Sequence, residues 1–138
     1  MAELAAVVGI GQTKYQTKRG DVSIAGLVRE AAVNALKDSA LTWDDIDAVI
    51  IGKAPDMFEG VVMPELYLTD ALGCNGKPML RVHTAGSVGG STAIVAASYV
   101  QSGIFKRILT VTFEKQSESN AMWALSNPMP FSPHLNAG

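Results

Sequence analysis

Short apolar runs alternate with amphipathic stretches along most of the chain. The continuous apolar runs at residues 4–10 and 46–51 predict strands that are buried on both faces. Two further strands are predicted over residues 79–85, directly after Pro78, and over residues 106–115. The long polar and amphipathic segments between them leave room for crossover helices rather than hairpins.

Helical periodicity occupies three of the intervening segments: residues 23–40, 64–73 and 87–103. Ser23 is predicted to cap the first helix, in which apolar positions recur every three or four residues on one face. Pro64 suits the first turn of the second helix, and Gly73 suits its end. Gly103 is predicted to close the third helix.

The resulting order, βαβαβαβ, predicts an α/β fold with a mostly parallel or mixed sheet and helices on both faces. Such sheets bind ligands at the carboxyl ends of their strands. The segment HTAGS at residues 83–87 lies where the third strand ends and the third helix begins. Residues 116–138 hold three prolines and no clear period, which predicts a long loop or a disordered tail.

Composition narrows the classes of partner. The chain has 138 residues and a net charge of -2, from 11 basic and 13 acidic residues without a basic run, so no nucleic-acid partner is expected. No apolar run approaches the roughly 20 residues that cross a bilayer, so no membrane association is expected. An acidic Glu3 makes the N-terminus a poor signal peptide. The single cysteine, Cys74, favours a reducing, cytoplasmic location.

Most motifs of known chemistry are absent or incomplete. GIGQTK at residues 9–14 lacks the third glycine of a dinucleotide-binding loop, and the next helix begins too late. His83 and His134 are far apart and lie outside any metal-binding spacing, so no metal site is predicted. AGSVG at residues 85–89 lacks the first glycine of a serine-hydrolase elbow.

Ser87 and His83 remain as the candidate catalytic residues. Ser87 has three interpretations: a helix N-cap, a packing serine in a crowded turn, or a reactive group at a helix N-terminus that needs a separate base. An extended chain would place His83 on the same side as Ser87, although a hydrogen-bonded histidine between strands is the favoured interpretation of His83. Cys74 lies in a turn and is interpreted as a bystander.

Three stretches resemble the thiolase superfamily, in particular the sterol-carrier-protein-x type and the actinobacterial lipid-transfer-protein thiolases. VVGIGQTKY is similar to their first strand and loop, and WDDIDAVIIGKAPD to their acidic lead-in and second strand. SVGGSTAIVAASYVQSG with ILTVTFEKQS is similar to their nucleophile helix, fourth strand and Phe-Glu-Lys turn. The similarity runs over most of residues 4–120.

This resemblance implies the N-terminal half of a five-layered fold, with residues 1–115 as a thiolase-like domain and residues 116–138 as the start of a truncated loop domain. It implies a coenzyme A thioester as substrate, with no other bound cofactor. It also implies a homodimer. In the family, a cysteine opens the third helix, and a histidine and a second cysteine come from the other half.

The chain departs from the family pattern twice: Ser87 occupies the cysteine position, and the chain stops at Gly138 before the second half. A serine hydroxyl is far more basic than a thiol, which argues against ordinary thiolysis. Related lipid-transfer thiolases without the cysteine are associated with retro-aldol cleavage of acyl-CoA side chains, as in steroid degradation, together with a small OB-fold (DUF35-type) partner.

Two hypotheses of function therefore lead, and a third, a free-standing α/β domain of unrelated function, is weakened by the length of the similarity. The leading one is an acyl-CoA carbon–carbon bond enzyme, aldolase-like or thiolase-like, whose base lies outside these residues. The alternative is a non-catalytic acyl-CoA or lipid-binding subunit that partners an OB-fold protein. Under either hypothesis we expect these 138 residues to be inactive on their own.

Overall fold

The computed structural model describes residues 3–54, 60–118 and 120. Within them lie three strands: β1 (Ala48–Gly52), β2 (Met79–Val82) and β3 (Ile108–Thr112). The helices are α1 (Ile24–Ser39), α2 (Pro64–Tyr67) and α3 (Val88–Gln101). Short 3-10 turns cover Trp43–Asp45, Ala85–Ser87 and Gln116–Glu118.

The described strands form one parallel sheet in the order β2-β1-β3, which confirms the predicted α/β class. Ile50 in the central strand is in register with Leu80 of β2 and Thr110 of β3. All five residues of β1 are buried, as its continuous apolar sequence predicts. The sheet thus has one strand covered on both sides and two flanking strands.

Helices pack on both faces of this sheet. The side chains of β1 alternate between the two faces and are buried on both. On one face, Val49 and Ile51 join a core with the buried side of α1 and the turns after α2. On the other face, Gly52 lies directly beneath the first turn of α3. The core cluster consists of Ile24, Val28, Ala32, Leu36, Ile46, Val49, Ile51, Leu68, Leu72, Cys74, Leu109 and Val111.

The ends of the two long helices follow the sequence signals. The Ser23 hydroxyl accepts a hydrogen bond from the Gly26 N–H at 3.1 Å, so Ser23 caps α1 as predicted. Gly103 has φ 77° and donates its N–H to the Val100 carbonyl at 3.0 Å, just past the end of α3. That left-handed conformation favours glycine and confirms the predicted helix end.

The second predicted helix is shorter than expected. Only Pro64–Tyr67 is helical, and the chain then continues in turns as far as Gly73. The Thr69 N–H bonds to the Leu66 carbonyl at 3.5 Å, so the backbone leaves the regular helical pattern at this point. These turns still bury Leu68 and Leu72 completely, which explains the helix-like apolar spacing of the segment.

The strand predicted over residues 4–10 is wrong, since this segment belongs to no strand of the described sheet. Its large apolar side chains are exposed: Leu4 87%, Val7 85%, Val8 68% and Ile10 75%. The segment lies instead along α1, where the Ile10 N–H bonds to Asp38 at 2.9 Å and Asn34 bonds to the Gln12 carbonyl at 3.2 Å. The segment is thus hydrogen-bonded to α1 rather than to the outer edge of β2 or β3.

The division predicted at residue 115 stays a prediction, because residues 119 and 121–138 lie outside the described part. Of the predicted tail, Gln116–Glu118 forms a 3-10 turn. Among the described residues, no helix combines the length and apolar character needed to span a bilayer.

Candidate active site

The candidate site is the turn that joins β2 to α3 at the carboxyl edge of the sheet. β2 ends at Val82, the chain makes the 3-10 turn Ala85–Ser87, and α3 begins at Val88. A Cβ on Gly52 would overlap the Thr92 hydroxyl and lie only 3.1 Å from Val88 Cγ2. The missing side chain of Gly52 therefore lets the first turn of α3 rest on the end of the central strand.

Ser87 occupies the cap position of α3, but its hydroxyl does not cap the helix. Its backbone has φ -90° and ψ 4°, and no side-chain hydrogen bond caps α3. The Ser87 hydroxyl instead donates to the Thr84 carbonyl at 2.8 Å, and the residue is exposed. The interpretation of Ser87 as an accepting N-cap is therefore wrong, while its placement at the start of α3 is confirmed.

His83 is exposed and lies just beyond the end of β2. Its Nδ1 accepts a long hydrogen bond, 3.4 Å, from the Ala85 N–H. Thr84 (φ -137°, ψ 40°) and Ala85 (φ 48°) leave the extended conformation, so strand alternation does not carry from His83 to Ser87. The structure shows no hydrogen bond between these two described side chains, and the catalytic role of each stays a prediction.

Small residues and hydroxyls form the surface around Ser87. The Thr84 hydroxyl lies 2.7 Å from that of Ser91, which ties the turn to the first turn of α3. A Cβ added at Gly86, Gly89 or Gly90 would meet no described atom within 4 Å. The open surface therefore gives access to the backbone at the positive end of a 14-residue helix. Such a surface can stabilise negative charge on a carbonyl oxygen.

Two charged residues at the same edge were missed by the sequence analysis. Lys53 follows β1 and is fully buried, and its Nζ lies 3.1 Å from Glu114 Oε2. Glu114, two residues past β3, also accepts the Ala54 N–H at 2.6 Å. The sequence offered two signals for this pair: a lysine directly after a fully apolar strand, and a glutamate just after the neighbouring parallel strand.

Cys74 is a core residue. It is 2% exposed, and its thiol lies 3.5 Å from the Lys77 carbonyl oxygen. Burial raises the pKa of the Cys74 thiol, which disfavours the nucleophilic thiolate. These observations agree with its interpretation as a bystander.

No group of side chains that could hold a metal ion occurs in the described part of the chain. His134 lies outside that part.

An open cavity of about 760 Å³ lies at the opposite, amino edge of the sheet, beside Trp43. The Arg29 guanidinium stands 5.3 Å from the Trp43 ring centroid and donates to the Ala71 carbonyl at 3.0 Å. The Lys77 ammonium donates to the Trp43 carbonyl. Both cations are thus engaged by the protein itself, and the carboxyl edge remains the better candidate site.

A search of protein-family models finds no match to this chain. Among curated proteins, it is 27% identical over 117 residues to an acetyl-CoA acetyltransferase of Methanothermobacter thermautotrophicus, covering 82% of this chain and 30% of that protein. It is 32% identical over 117 residues to a β-ketoacyl-[acyl-carrier-protein] synthase III of Staphylococcus haemolyticus, covering 83% and 36%. A non-specific lipid-transfer protein-like 2 of Caenorhabditis elegans is 28% identical over 114 residues, covering 80% and 26%.

Solved structures agree on the fold. The 3-oxoacyl-[acyl-carrier-protein] synthase III of Aquifex aeolicus superposes with a TM-score of 0.65 at 22% identity, over 79% of this chain and 35% of that one. The Ltp2-ChsH2(DUF35) aldolase superposes with a TM-score of 0.63 at 25% identity, over 92% and 34%.

The chain therefore has a thiolase-like α/β fold. Its homologues are thiolase-family proteins, as the resemblance in sequence indicates. The chain spans between about a quarter and just over a third of the length of the curated relatives named above, at 30%, 26% and 36%.

Proposed function

We propose that this chain is the part of an acyl-CoA carbon–carbon bond enzyme that carries the nucleophile position, with the thioester placed against Ser87. The observation that carries the proposal is the open turn at the start of α3, built at the carboxyl edge of a thiolase-like sheet. Supporting it, the homologues include an acetyl-CoA acetyltransferase and a β-ketoacyl synthase, and a structural neighbour is an aldolase. The substrate is a coenzyme A thioester.

The finer proposal is retro-aldol cleavage rather than thiolysis. The Ser87 hydroxyl donates a hydrogen bond to a backbone carbonyl and makes none to His83. The turn therefore supplies no base to activate the hydroxyl. Retro-aldol cleavage needs no nucleophile in this turn. A base takes the β-hydroxyl proton, the Cα–Cβ bond breaks, and its electron pair forms the thioester enolate while the β-carbon becomes a carbonyl. The N–H groups of α3 would stabilise the enolate oxygen, and the enolate then takes up a proton.

Under this proposal the base comes from residues outside those described, and a lipid or steroid side chain is the candidate acyl group. A homodimer, a small OB-fold (DUF35-type) partner and a cytoplasmic location belong to the same proposal. The Ltp2-ChsH2(DUF35) neighbour is the support for the OB-fold partner.

The experiment compares two reactions of the full-length native protein. Purified protein is incubated with a 3-hydroxyacyl-CoA, or with a 3-ketoacyl-CoA plus free coenzyme A, and the products are separated by liquid chromatography. We expect cleavage of the hydroxyacyl-CoA, and we expect Ser87→Ala to retain most of it because the hydroxyl takes no covalent part. Thiolysis of the ketoacyl-CoA that is abolished in Ser87→Ala would contradict the retro-aldol proposal.

A second candidate function is a non-catalytic acyl-CoA-binding subunit. The exposed Ser87 and His83, each held only by a local backbone contact, favour it, because neither is oriented by a catalytic partner among the described residues. Saturable binding of acyl-CoA by isothermal titration calorimetry, without turnover of either thioester, would support this function over the first.

A further inference from the structure

Two carboxylates join β1 to β3, one at each end of the strand pair. At the amino end, Asp47 Oδ2 accepts the N–H groups of Lys106 at 2.9 Å and Arg107 at 2.8 Å. At the carboxyl end, Glu114 accepts the Ala54 N–H at 2.6 Å and pairs with Lys53 at 3.1 Å. The two bridges act on the same strands, but only the second lies at the edge that carries the candidate site.

The carboxyl-end bridge is buried, whereas the Asp47 bridge is exposed. Lys53 has no exposed surface, and the Glu114 side chain is 17% exposed. The Lys53 ammonium also lies 5.8 Å from the centroid of the Phe113 ring. A buried charge pair contributes little net stability compared with apolar residues of the same volume, and in some proteins it restricts the geometry of the groups that it joins.

A short series of contacts connects this pair to Ser87. Lys53 directly follows Gly52, whose carbonyl accepts the Phe113 N–H at 3.2 Å next to Glu114. Gly52 contacts the side chains of Val88 and Thr92 so closely that a methyl group would not fit. The Thr92 hydroxyl in turn bonds to the Val88 carbonyl at 2.7 Å, and Val88 follows Ser87. The close contact at Gly52 therefore determines how far the first turn of α3 lies from the end of β1.

We propose that Lys53 and Glu114 form a positioning pair that holds the start of α3, and with it residue 87, in place over the carboxyl edge of the sheet. The pair acts on residue 87 through Gly52 and does not contact the substrate under this proposal. This inference rests on the proposed function for its use in turnover, but its geometry can be tested without any thioester.

The test places a reporter thiol at the site. In a Ser87→Cys background, the rate of alkylation by iodoacetamide is measured against pH in the full chain, because the rate follows the thiolate fraction and a helix N-terminus stabilises thiolate. Lys53→Met, Glu114→Gln and the double variant are compared with Asp47→Asn, which weakens the same strand pair at the opposite edge. Buried Cys74 is removed as background by Cys74→Ser.

We expect Lys53→Met, Glu114→Gln and the double variant all to slow alkylation at neutral pH, by about tenfold, since each moves the thiol away from the helix end. Asp47→Asn should leave the rate unchanged while lowering the melting temperature. The double variant keeps the test valid if a single variant, which removes only one member of a buried charge pair, fails to fold.

Two outcomes would overturn the inference. Opposite shifts from Lys53→Met and Glu114→Gln would show a direct charge effect on the thiol rather than positioning. Equal behaviour of Glu114→Gln and Asp47→Asn would show a general effect on the sheet.

In the native protein with Ser87 intact, we expect Glu114→Gln to lower kcat at least tenfold with little change in KM, since misplacement affects the reacting geometry. A protein without thioester turnover would refute the proposed function, while the alkylation result would still decide the positioning pair.

Discussion

At the scale of single residues, Asp47 shows how a backbone-bound carboxylate links folding to pH. The N–H groups of Arg107 and Lys106 hold the pKa of Asp47 below its ordinary value, because they stabilise the charged form. A lowered folded pKa contributes stability that is present above the unfolded pKa of about 3.9 and is lost as pH falls through the folded value.

We therefore expect Asp47→Asn to lower the free energy of unfolding near neutral pH, and the difference from the parent chain to shrink below about pH 4. Urea denaturation at a series of pH values measures both. A difference that stays constant down to pH 2 would contradict the assigned hydrogen bonds.

Ser87 and Lys53 show which properties of a residue can be predicted from the sequence and which cannot. Ser87 could be placed at the start of α3, because a strand, a small polar turn and a helix follow one another locally. Its hydroxyl could not be assigned, since the choice between the helix and the Thr84 carbonyl depends on the turn dihedrals. The pairing of Lys53 with Glu114 spans 61 residues, and no local pattern identifies partners at that separation.

At the scale of elements, two glycines have different roles: Gly90 in α3 leaves open space at the candidate site, whereas Gly11 allows close packing against α1. Gly90 lies within the first turn, and a Cβ there would meet no described atom. Gly11, by contrast, leaves no room for a Cβ, which would overlap the Ala31 carbonyl of α1.

We expect Gly90→Ala to raise the free energy of unfolding of the chain by about 0.5–1 kcal/mol, because alanine favours the helix. Under the proposed function, the same change should weaken acyl-CoA binding by narrowing the site. Gly11→Ala should destabilise the chain and expose residues 3–13 to proteolysis. Urea denaturation and limited proteolysis measure these effects, and loss of stability in Gly90→Ala would contradict the open surface.

The elements themselves were predictable where the periodicity and the end signals agree. α1 has its cap and apolar face in the sequence, and β1 has its uninterrupted apolar run. The run at residues 4–10 is equally apolar, yet it forms no strand in the described sheet. Apolarity indicates that a segment suits a strand, but whether it pairs depends on where the rest of the fold places it, and this segment bonds to α1 instead.

At the scale of the whole molecule, the apolar character of α3 exceeds what the described residues cover. Only Val88, Thr92 and Ala96 of this helix are buried, and Ile94 is 69% exposed. A helix that is apolar on every side is typical of a buried helix.

The fold class could be predicted from the sequence because it depends on the order of elements. The similarity to thiolases could be found because it depends on extended motifs.

Under the proposed function, the acyl thioester reacts at the turn before α3. The most direct test is to incubate the native protein carrying Ser87→Cys with acetyl-CoA and to locate the acetyl group by peptide mass spectrometry. A thiol at this helix end is expected to be nucleophilic, so we predict an acetylated peptide that contains residue 87. The parent protein should show none under the same conditions. Acetylation at Cys74 alone, or at no site, would contradict the claim.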